Sequence, residues 1–452
     1  MKLLFIHPNH PSQFEFAATA LARDPANQVL MLSRKNLEVK LPGVRVIGFH
    51  EKAYAKDDTS PKLHKFIDGC HRADAVANVC LSLKRAGFVP DVIVAHAGWG
   101  DALYVKSVFP GKPLLNYMEF YFHASGADVG FFPGRINYQK MAALLTTNNA
   151  IHALNYFNAD SCVTPTYWQR SVHPVEMRDK FNVLHEGVDT DRCRPASHDR
   201  IVLPNGFVLH PETDEIITHV ERFFENYRGF PTFIKAVELI QRRRPNAHVL
   251  VVGKKGSCYG DRNEAVFDAL IKNTGFDRNR THFLGHLPYA DYLRVLQVSS
   301  AHIYLTCPFV LSWSFLEAMS VGCPVVCSNT PPVAEVGEDQ VNCLMFDFFS
   351  PRQLADQVDK LLDDRQYARR LGQAARRKMV EQYDRARLLP MFLGLITDLA
   401  EGRGPGRAAA AIAAWNRQWG REEADWQQKI PLFGGDGDTH IQVNQQKQEQ
   451  TS

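Results

Sequence analysis

Short runs of consecutive apolar residues alternate along the chain with longer stretches in which apolar positions recur every three or four residues. In the first half, the apolar runs predict strands at LLFIH (3–7), QVLMLSR (28–34), VRVIGFH (44–50), DVIVAH (91–96), PLLNYME (113–119) and SCVTPT (161–166). The stretches between them, such as QFEFAATALARD and residues 61–87, have the periodicity of amphipathic helices. Continuous apolar strands separated by helices are typical of a parallel sheet that is covered on both faces.

The same alternation restarts in the second half of the chain. It predicts strands at EIITHVER (215–222), HVLVVG (248–253), THFLGH (281–286), AHIYLT (301–306) and PVVCS (324–328). Helices are expected at FPTFIKAVELIQRRR, near residues 261–273, at ADYLRVLQVSS and at LEAMSVG. We therefore predict an α/β protein with two Rossmann-like, doubly wound parallel-sheet domains that face each other across a cleft.

The predicted domain boundaries follow the turn-forming segments. The first domain covers residues 1–195 and the second covers 196–385, because DTDRCRPASHDR near the join carries charge and turn formers. A helix at 386–405 and a helical or flexible tail at 406–452 follow. In open α/β sheets, ligands bind beyond the carboxyl ends of the strands, so chemistry is expected on residues that directly follow strands.

Composition and charge exclude several classes of protein. The chain has 452 residues, and its 52 basic and 49 acidic residues give a net charge of +3, too weak and dispersed to indicate nucleic-acid binding. Nine scattered cysteines without CxxC spacing indicate reduced thiols in the cytoplasm and no metal centre. The short apolar run at the start predicts a strand rather than a signal peptide, and no stretch approaches the ~18 apolar residues of a membrane span.

Residues 61–87 leave two interpretations open. Five basic residues lie beside an apolar face there: Lys62, Lys65, Arg72, Lys84 and Arg85. Such a helix can rest on an anionic membrane and meet a lipid-linked acceptor, which would make the protein peripheral to the membrane. The alternative is an ordinary surface helix that packs on the first sheet.

Two arginines follow the first strand of the second domain. Arg222 and Arg228 lie on either side of FFENY, and two guanidinium groups at this spacing can clamp a diphosphate with planar, bidentate donors. The alternative is that they are surface arginines paired with Glu221 or Glu225.

A single acid interrupts the apolar run PFVLSWSFLEAMSVGCP. Ser312 or Ser314 can cap the helix that begins there, and its free N–H groups form an anion site. Glu317 lies one turn further on, where a carboxylate can accept hydrogen bonds from ribose hydroxyls. The alternative is an acid placed only by the helix dipole, although its apolar neighbours imply that it needs a partner.

These segments resemble the retaining family-4 glycosyltransferases, which have the GT-B fold. SWSFLEAMSVGCPVVCSNTPPVAEV is similar to the donor-binding signature of that family, and FNVLHEGVDTDRCRP, EIITHVERFFENYRGFPTFIKAVELI and THFLGHLPYADYLRVLQVSSAHIYLT resemble its other segments in order. The resemblance covers most of residues 1–400 and implies that 386–405 crosses back to the first domain. It also implies that Arg222 and Arg228 neutralise the leaving diphosphate without a metal or cofactor.

The resemblance implies a donor site in the second domain and one departure from the family pattern. The donor, a nucleotide diphosphate sugar linked to UDP or GDP, is expected against Glu317, Ser312, Trp313, Ser314, Leu311 and Gly285. The family usually has two acids eight positions apart, but here the first position is Phe309, which cannot accept a hydrogen bond from the sugar. FVLSWS matches a bacterial subgroup, so we interpret the difference as a variant.

The first domain is expected to hold the acceptor, which the sequence leaves open as a glycan, a lipid-linked molecule or a small molecule. Glu119 follows a strand near the position of an acid or histidine in the family and is a candidate catalytic residue; the alternative is a structural acid. Further candidates for the acceptor site are His10, Ser12, Gln13, His96 and His123. The first loop can instead be a rigid loop with a helix cap at Ser12, and ASGADVGF is interpreted as a flexible loop that closes over substrate.

We therefore predict a metal-independent retaining glycosyltransferase, of hexosyltransferase type, in bacterial polysaccharide or glycoconjugate biosynthesis. Three alternatives remain open. A GT-B chain can be a nucleotide-sugar epimerase or a phosphorylase, and Phe309 favours a catalytically weak pseudo-glycosyltransferase that serves as a binding scaffold.

Overall fold

The computed structural model describes residues 1–52, 59–134, 137–256 and 264–422. The described residues form two compact units: 1–186 together with 388–422, and 187–387. The predicted join at residue 195 lies inside the second unit, and the chain re-enters the first unit at Leu388.

The first unit is built on a seven-stranded sheet in which every pair of neighbouring strands is parallel. Its strands are β1 (Lys2–Ile6), β2 (Gln28–Ser33), β3 (Val44–Gly48), β4 (Val92–His96), β5 (Leu114–Tyr117), β6 (Ser161–Thr164) and β7 (Phe181–Val183). Their order in the sheet is β3-β2-β1-β4-β5-β6-β7. The order reverses between β1 and β4, which makes the carboxyl ends of these two strands the expected ligand site of this unit.

Helices cover both faces of this sheet. They are α1 (Glu15–Ala22), α2 (His64–Arg85), α3 (Val105–Val108), α4 (Tyr138–Asn158) and α5 (Tyr167–Ser171), joined by the later part of α13 (Arg385–Ala400) and by α14 (Gly406–Gln418). Leu3 and Phe5 of β1 belong to one buried cluster and Leu4 and Ile6 to another, because successive side chains of a strand point to opposite faces. Each such fully buried side chain contributes about 1.5–3 kcal/mol to folding.

The second unit repeats this architecture with a six-stranded parallel sheet and one short hairpin. Its strands are the hairpin β8 (Ile201–Val202) and β9 (Val208–Leu209), then β10 (Glu215–Phe223), β11 (Ala247–Lys254), β12 (Thr281–Gly285), β13 (Ala301–Tyr304), β14 (Val325–Ser328) and β15 (Leu344–Phe346). The order in the main sheet is β12-β11-β10-β13-β14-β15, so it reverses between β10 and β13.

The helices of the second unit lie between consecutive strands and after the last one. They are α6 (Phe230–Arg243), α7 (Glu264–Asn273), α8 (Tyr289–Gln297), α9 (Trp313–Ser320), α10 (Pro331–Ala334), α11 (Pro351–Asp363) and α12 (Arg365–Lys378). Two parallel sheets, each with one reversal of strand order, confirm the predicted pair of doubly wound α/β domains.

The helix predicted at residues 61–87 is present as α2, and three of the five basic residues of this stretch contact other parts of the unit. The guanidinium of Arg72 donates to the carbonyl oxygen of Trp99 at 2.6 and 2.9 Å and lies 3.3 Å from the Asp101 carboxylate. Lys84 Nζ donates to the Val108 carbonyl oxygen at 2.7 Å, and Lys65 Nζ lies 4.4 Å from the centre of the Phe122 ring. These contacts favour the interpretation as an ordinary surface helix. In the described part of the chain, none of the helices combines the length and the hydropathy needed to cross a bilayer.

Candidate active site

The second unit brings its two candidate arginines to the point where its strand order reverses. Arg222 is exposed near the end of β10, and within the described residues it has no hydrogen-bond or ion-pair partner. Arg228 lies on a single helical turn after β10, and its Nη1 donates to Thr306 Oγ1 at 2.6 Å and to the Val310 carbonyl oxygen at 2.9 Å. Because Thr306 and Val310 follow β13, Arg228 connects the two strand ends that flank the reversal.

The suggested pairing of these arginines with Glu221 is wrong. Glu221 is buried, and its Oε1 lies 3.2 Å from Nε2 of the buried His219, two residues earlier on the same strand. His219 Nδ1 contacts the Ile303 carbonyl oxygen at 2.9 Å, which assigns the Nδ1 proton as the donor. Nε2 of this tautomer can only accept, so its contact with Glu221 is a hydrogen bond when the carboxyl group carries a proton.

The His219–Glu221 pair should make the stability of the folded protein depend on pH. Burial raises the pKa of Glu221 to about 7. The folded protein then holds this proton more tightly than the unfolded chain, so the free energy of unfolding should fall as the pH rises from about 5 through 7. Between pH 5.5 and pH 8, the free energy of unfolding should fall by about 2 kcal/mol less in Glu221→Gln than in the wild type. The melting temperature of the variant should fall correspondingly less.

Melting curves at the two pH values provide the measurement. Glu212→Gln is the matched control, because Glu212 is an exposed acid of the same unit. An unchanged pH dependence in Glu221→Gln would show that this carboxyl group does not bind a proton in the folded state near neutral pH.

Helix α9 begins without a side-chain cap. Ser312 occupies the cap position, but its Oγ and its backbone N–H contact the Tyr304 hydroxyl at 2.9 and 3.0 Å instead of capping the first turn. Ser314 Oγ lies 3.1 Å from Ser312 Oγ, so the predicted cap by either serine is wrong. The Phe315 N–H donates to the Ser312 carbonyl oxygen at 3.2 Å. The two N–H groups before it, those of Trp313 and Ser314, have no partner within the described residues and are available to an anion.

The other predicted donor residues occupy different positions around this helix start. Trp313 is 38% exposed and Leu311 is buried. Gly285 ends β12 in a left-handed conformation (φ +68°), and an added Cβ there would meet nothing within 4 Å. Phe309 is buried, with its ring centre 5.5 Å from that of Tyr227. The position of the missing family acid is therefore apolar in space as well as in sequence.

Glu317 already has two hydrogen-bond donors. The Tyr289 hydroxyl donates to its Oε1 and the Tyr292 hydroxyl to its Oε2, both at 2.6 Å. Both tyrosines lie on α8, three residues apart and therefore on one face of the helix. The prediction that this acid needs a partner is thus met by two side chains that the sequence analysis did not identify. Each carboxylate oxygen still has a second lone pair, so a ligand hydroxyl can share it.

The Tyr289 hydroxyl belongs to a wider contact group at the same place. Cys193 Sγ lies 3.2 Å from it, and the Arg192 guanidinium lies 4.1 Å from the centre of the Tyr289 ring. Burial and the Glu317 carboxylate raise the pKa of Tyr292 well above its usual value. Both effects keep the hydroxyl protonated and available as a donor.

The first unit gathers polar side chains where its own strand order reverses. His7 follows β1, His96 ends β4, and their ring centres are 4.9 Å apart. Each ring uses Nδ1 to accept a backbone N–H, from Asn9 at 3.0 Å and from Gly98 at 3.1 Å. In the neutral rings the proton therefore lies on Nε2. Burial and the neighbouring His96 lower the pKa of His7 well below its usual value, so that ring is neutral.

These histidines begin two sets of contacts that converge on Glu119. His7 Nε2 lies 3.1 Å from Ser12 Oγ, and the Ser12 hydroxyl contacts Gln13 Oε1. Gln13 Nε2 is 3.5 Å from Glu119 Oε1, and His96 Nε2 is 3.4 Å from Glu119 Oε2. The Glu119 side chain is 32% exposed. Its carboxylate therefore contacts Gln13 and His96 and is also accessible to solvent.

Three expectations for this region need correction. His10 is buried, with Nδ1 2.9 Å from Met31 Sδ and Nε2 2.8 Å from the Val39 carbonyl oxygen, so neither nitrogen is left for an acceptor. Ser12 does not cap a helix, because helix α1 begins after Phe14 without a side-chain cap. The segment predicted as a flexible loop is packed: Ala127, Asp128 and Phe131 are buried.

His123 lies beside this packed loop. Its Nε2 contacts the Val172 carbonyl oxygen, which ties it to the protein backbone. Within the described ranges, His, Cys, Asp and Glu side chains form no group of three that could hold a metal ion.

Sequence comparisons find family models in both halves of the chain. Residues 25–193 match the model described as "Glycosyl transferase family 4 group", and residues 206–378 match "Glycosyl transferases group 1". The chain is 26% identical over 163 residues to the glycogen synthase of Mycobacterium tuberculosis. That match covers 35% of this chain and only 37% of the length of the relative.

Solved structures with low sequence identity share the fold. HepE of Anabaena, solved in complex with UDP, aligns over 88% of this chain and 100% of its own, with a TM-score of 0.63 and 16% identity. Sucrose-phosphate synthase of Thermosynechococcus elongatus aligns over 89% of this chain and 100% of its own, with a TM-score of 0.65 and 16% identity.

Proposed function

Because both halves of the chain belong to glycosyltransferase families, we propose that the protein transfers a sugar from a nucleotide diphosphate sugar to an acceptor hydroxyl. One observation carries the proposal. Arg222 is exposed and has no partner within the described residues. It lies on β10, whose neighbour β13 leads to the uncapped start of α9. A cation and free N–H groups at a strand-order reversal are what a diphosphate requires.

The proposed donor site uses each group of the second unit for a separate task. Arg222 neutralises the diphosphate as the bond to the sugar breaks, and Arg228 fixes the loop after β13 and adds a second positive charge beside it. The N–H groups at the start of α9 bind the same phosphates, and Glu317 accepts the ribose hydroxyls beside Tyr289. We propose that these fixed positive charges stabilise the leaving group without a metal ion or another cofactor. The complexes of HepE with UDP and with UDP-glucose support a nucleotide-sugar donor.

The proposed acceptor site is the Glu119 cluster of the first unit. Glu119 is held by His96 and Gln13, and its exposed side orients the hydroxyl that attacks the sugar. From the resemblance to retaining glycosyltransferases, we propose transfer with retained anomeric configuration. Since no neighbouring side chain is assigned as a nucleophile, the acceptor hydroxyl attacks on the face that the diphosphate leaves, and the leaving phosphate takes the acceptor proton. A role in the assembly of bacterial polysaccharides or glycoconjugates is part of the same proposal.

One observation favours a second candidate function. Phe309 places an apolar ring at the position of the missing acid. The hydroxyls of Tyr289 and Tyr292 already donate hydrogen bonds to the Glu317 carboxylate. A chain built in this way can bind nucleotides without transferring sugar and act as a scaffold.

Nucleotide titration followed by a turnover assay tests the proposal and separates the two candidates. We expect UDP or GDP to bind in calorimetry and to raise the melting temperature, and one of their sugar conjugates to be slowly hydrolysed without acceptor. Binding without hydrolysis of any nucleotide sugar would support the scaffold. If UDP, GDP and ADP all fail to bind, the proposed donor site is wrong.

A further inference from the structure

The hydrogen bonds that lead from His7 to Glu119 all have the same direction. His7 Nδ1 accepts the Asn9 N–H at 3.0 Å, so the neutral ring carries its proton on Nε2 and donates to Ser12 Oγ at 3.1 Å. The Ser12 hydroxyl proton is then left for Gln13 Oε1. Because its oxygen is engaged, Gln13 presents Nε2 to Glu119 Oε1, 3.5 Å away. We call this series, formed by His7, Ser12 and Gln13, the His7 relay.

A second set of contacts with the same direction ends on the other oxygen of Glu119. The Gly98 N–H donates to His96 Nδ1 at 3.1 Å, and His96 Nε2 lies 3.4 Å from Glu119 Oε2. Each set begins at a backbone N–H and presents one N–H donor to one carboxylate oxygen. The last contacts, at 3.4 and 3.5 Å, are long for hydrogen bonds, as is common in catalytic sites before the substrate binds.

The backbone of Ser12 is strained within the His7 relay. Its φ is +52°, in the left-handed region that residues with a side chain rarely adopt. Strained residues of this kind cluster at functional sites, where the surrounding structure holds them in place. The Ser12 hydroxyl contacts His7 Nε2 and Gln13 Oε1 and caps no helix. The strained conformation therefore places this hydroxyl between the two other members of the relay.

The orientation of the Gln13 amide decides whether it attracts or repels the Glu119 carboxylate. A primary amide has a donor end and an acceptor end, and a rotation that exchanges them would bring the Gln13 oxygen to the carboxylate. The two oxygens would repel each other and displace the Glu119 side chain. A displacement of about 1 Å in a group that orients a substrate can reduce the rate by a factor of about 10². A residue that fixes this amide can therefore control the rate without touching the substrate.

His7 is buried and neutral, as the first member of the relay must be. Its side chain is 2% exposed, and its ring centre lies 5.7 Å from that of Phe14 and 4.9 Å from that of His96. Burial and the neighbouring His96 lower the pKa of His7 well below its usual value. Near neutral pH, Nδ1 therefore stays free to accept the Asn9 N–H, and the relay is not interrupted by protonation.

We infer that His7 is a positioning residue of the proposed acceptor site and acts on Glu119 through Ser12 and Gln13. The inference deepens the proposed function and rests on it for the role of Glu119. In this arrangement the polar groups of Ser12 and Gln13 hold the carboxylate, and the carboxylate in turn binds the acceptor hydroxyl.

Nuclear magnetic resonance tests the relay without any substrate. The full chain is produced with ¹⁵N-labelled histidine and glutamine side chains. Near neutral pH the signals of His7, assigned by their absence in His7→Phe, should show the proton on Nε2. The side-chain amide signal of Gln13, assigned by its absence in Gln13→Leu, should shift in both His7→Phe and Ser12→Ala. A proton on His7 Nδ1, or a Gln13 signal that is unchanged in both variants, would overturn the inference.

Turnover of the nucleotide sugar tests the positioning role. His7→Phe keeps an aromatic ring against Phe14 and His96 and removes both nitrogens. We expect kcat to fall about tenfold or more, with the KM of the donor and the affinity for UDP unchanged, because the proposed donor site lies in the second unit. Ser12→Ala should cause a similar loss. The double variant should lose no more than either single variant, because both changes break the same relay.

His10→Phe is the matched control, because His10 is a buried histidine of the same loop that contacts Met31 and Val39 instead. It should keep the rate even where it lowers the melting temperature. Full turnover in His7→Phe, or losses that add up in the double variant, would overturn the positioning role and leave the proposed function intact. If the wild type neither transfers nor hydrolyses any nucleotide sugar, the proposed function fails and the positioning role with it, while the spectra still decide whether the relay exists.

Discussion

Replacing Arg222 by alanine is expected to reduce sugar transfer by a factor of about 10³ and to leave the fold intact. The size follows from the loss of a cation that meets the charge developing on the leaving diphosphate, an effect commonly worth 10²–10⁵ in rate. Stability should hardly change, because Arg222 is exposed and forms no ion pair within the described residues. Initial rates of nucleotide release with and without acceptor, together with melting curves, provide the measurement.

Arg369→Ala is the control for this prediction. Arg369 is an exposed arginine on α12 of the same unit, so its loss changes the net charge equally without touching the proposed site. Arg222→Lys should recover part of the rate, since a lysine keeps the charge but not the planar donors. Near-normal turnover in Arg222→Ala would remove this residue from the mechanism.

The second large effect is expected at Glu317. If this carboxylate binds the ribose, the wild type should prefer UDP over 2′,3′-dideoxy-UDP by about tenfold or more, because hydrogen bonds to a charged group contribute about 1.5–3 kcal/mol each. Glu317→Gln should remove most of this preference while binding of the diphosphate part persists. Calorimetric titrations of both nucleotides with both proteins form a complete thermodynamic cycle.

Tyr289→Phe separates the ribose role from a structural one. It removes one donor from Glu317 Oε1 and keeps the carboxylate, so the preference for UDP should be retained or should increase. If Glu317→Gln keeps the full preference for UDP, the acid serves only the two tyrosine hydroxyls, and ribose recognition must be sought elsewhere.

The sequence predicted the sheets well because buried parallel strands leave a strong signal. The run LLFIH and the run AHIYLT both end within two residues of the observed strands, since every position in them is buried. The hairpin of β8 and β9 and the three-residue strands β7 and β15 were not identified, because runs of two or three residues carry no periodicity.

Helix α4 was missed for a different reason. Tyr138–Asn158 buries polar side chains such as Asn148, Asn149 and His152 alongside apolar ones, so its sequence does not separate into a polar and an apolar face. Such a helix is specified by tertiary contacts, for example the hydrogen bond from Asn149 to the Phe122 carbonyl oxygen at 2.7 Å.

The sequence indicated where candidate residues lie relative to the strands, but it did not indicate which side chains they contact. Arg222 near the end of β10 and Glu119 after β5 were selected as candidates because they lie at strand ends, and the structure places them there. Tyr289 and Tyr292 are 28 and 25 residues away from Glu317 in the sequence, and no local pattern predicts such a contact. His10 failed as a candidate because burial of a loop residue is decided by distant neighbours, here Met31 and Val39.

The return of the chain to the first unit has a consequence for its biosynthesis. Leu395, Ile396 and Ile412 lie in the same buried cluster as Leu3 and Phe5, so a ribosome must translate nearly the whole described chain before that cluster is complete. The second unit, by contrast, is one continuous segment of the chain, so all its strands are synthesised before the chain returns to the first unit. A nascent chain or a fragment that stops at residue 186 leaves part of one face of its sheet uncovered, because α1 covers only the rest of it. Exposed apolar surface of this kind makes the early translation product prone to aggregation and a candidate for chaperone binding.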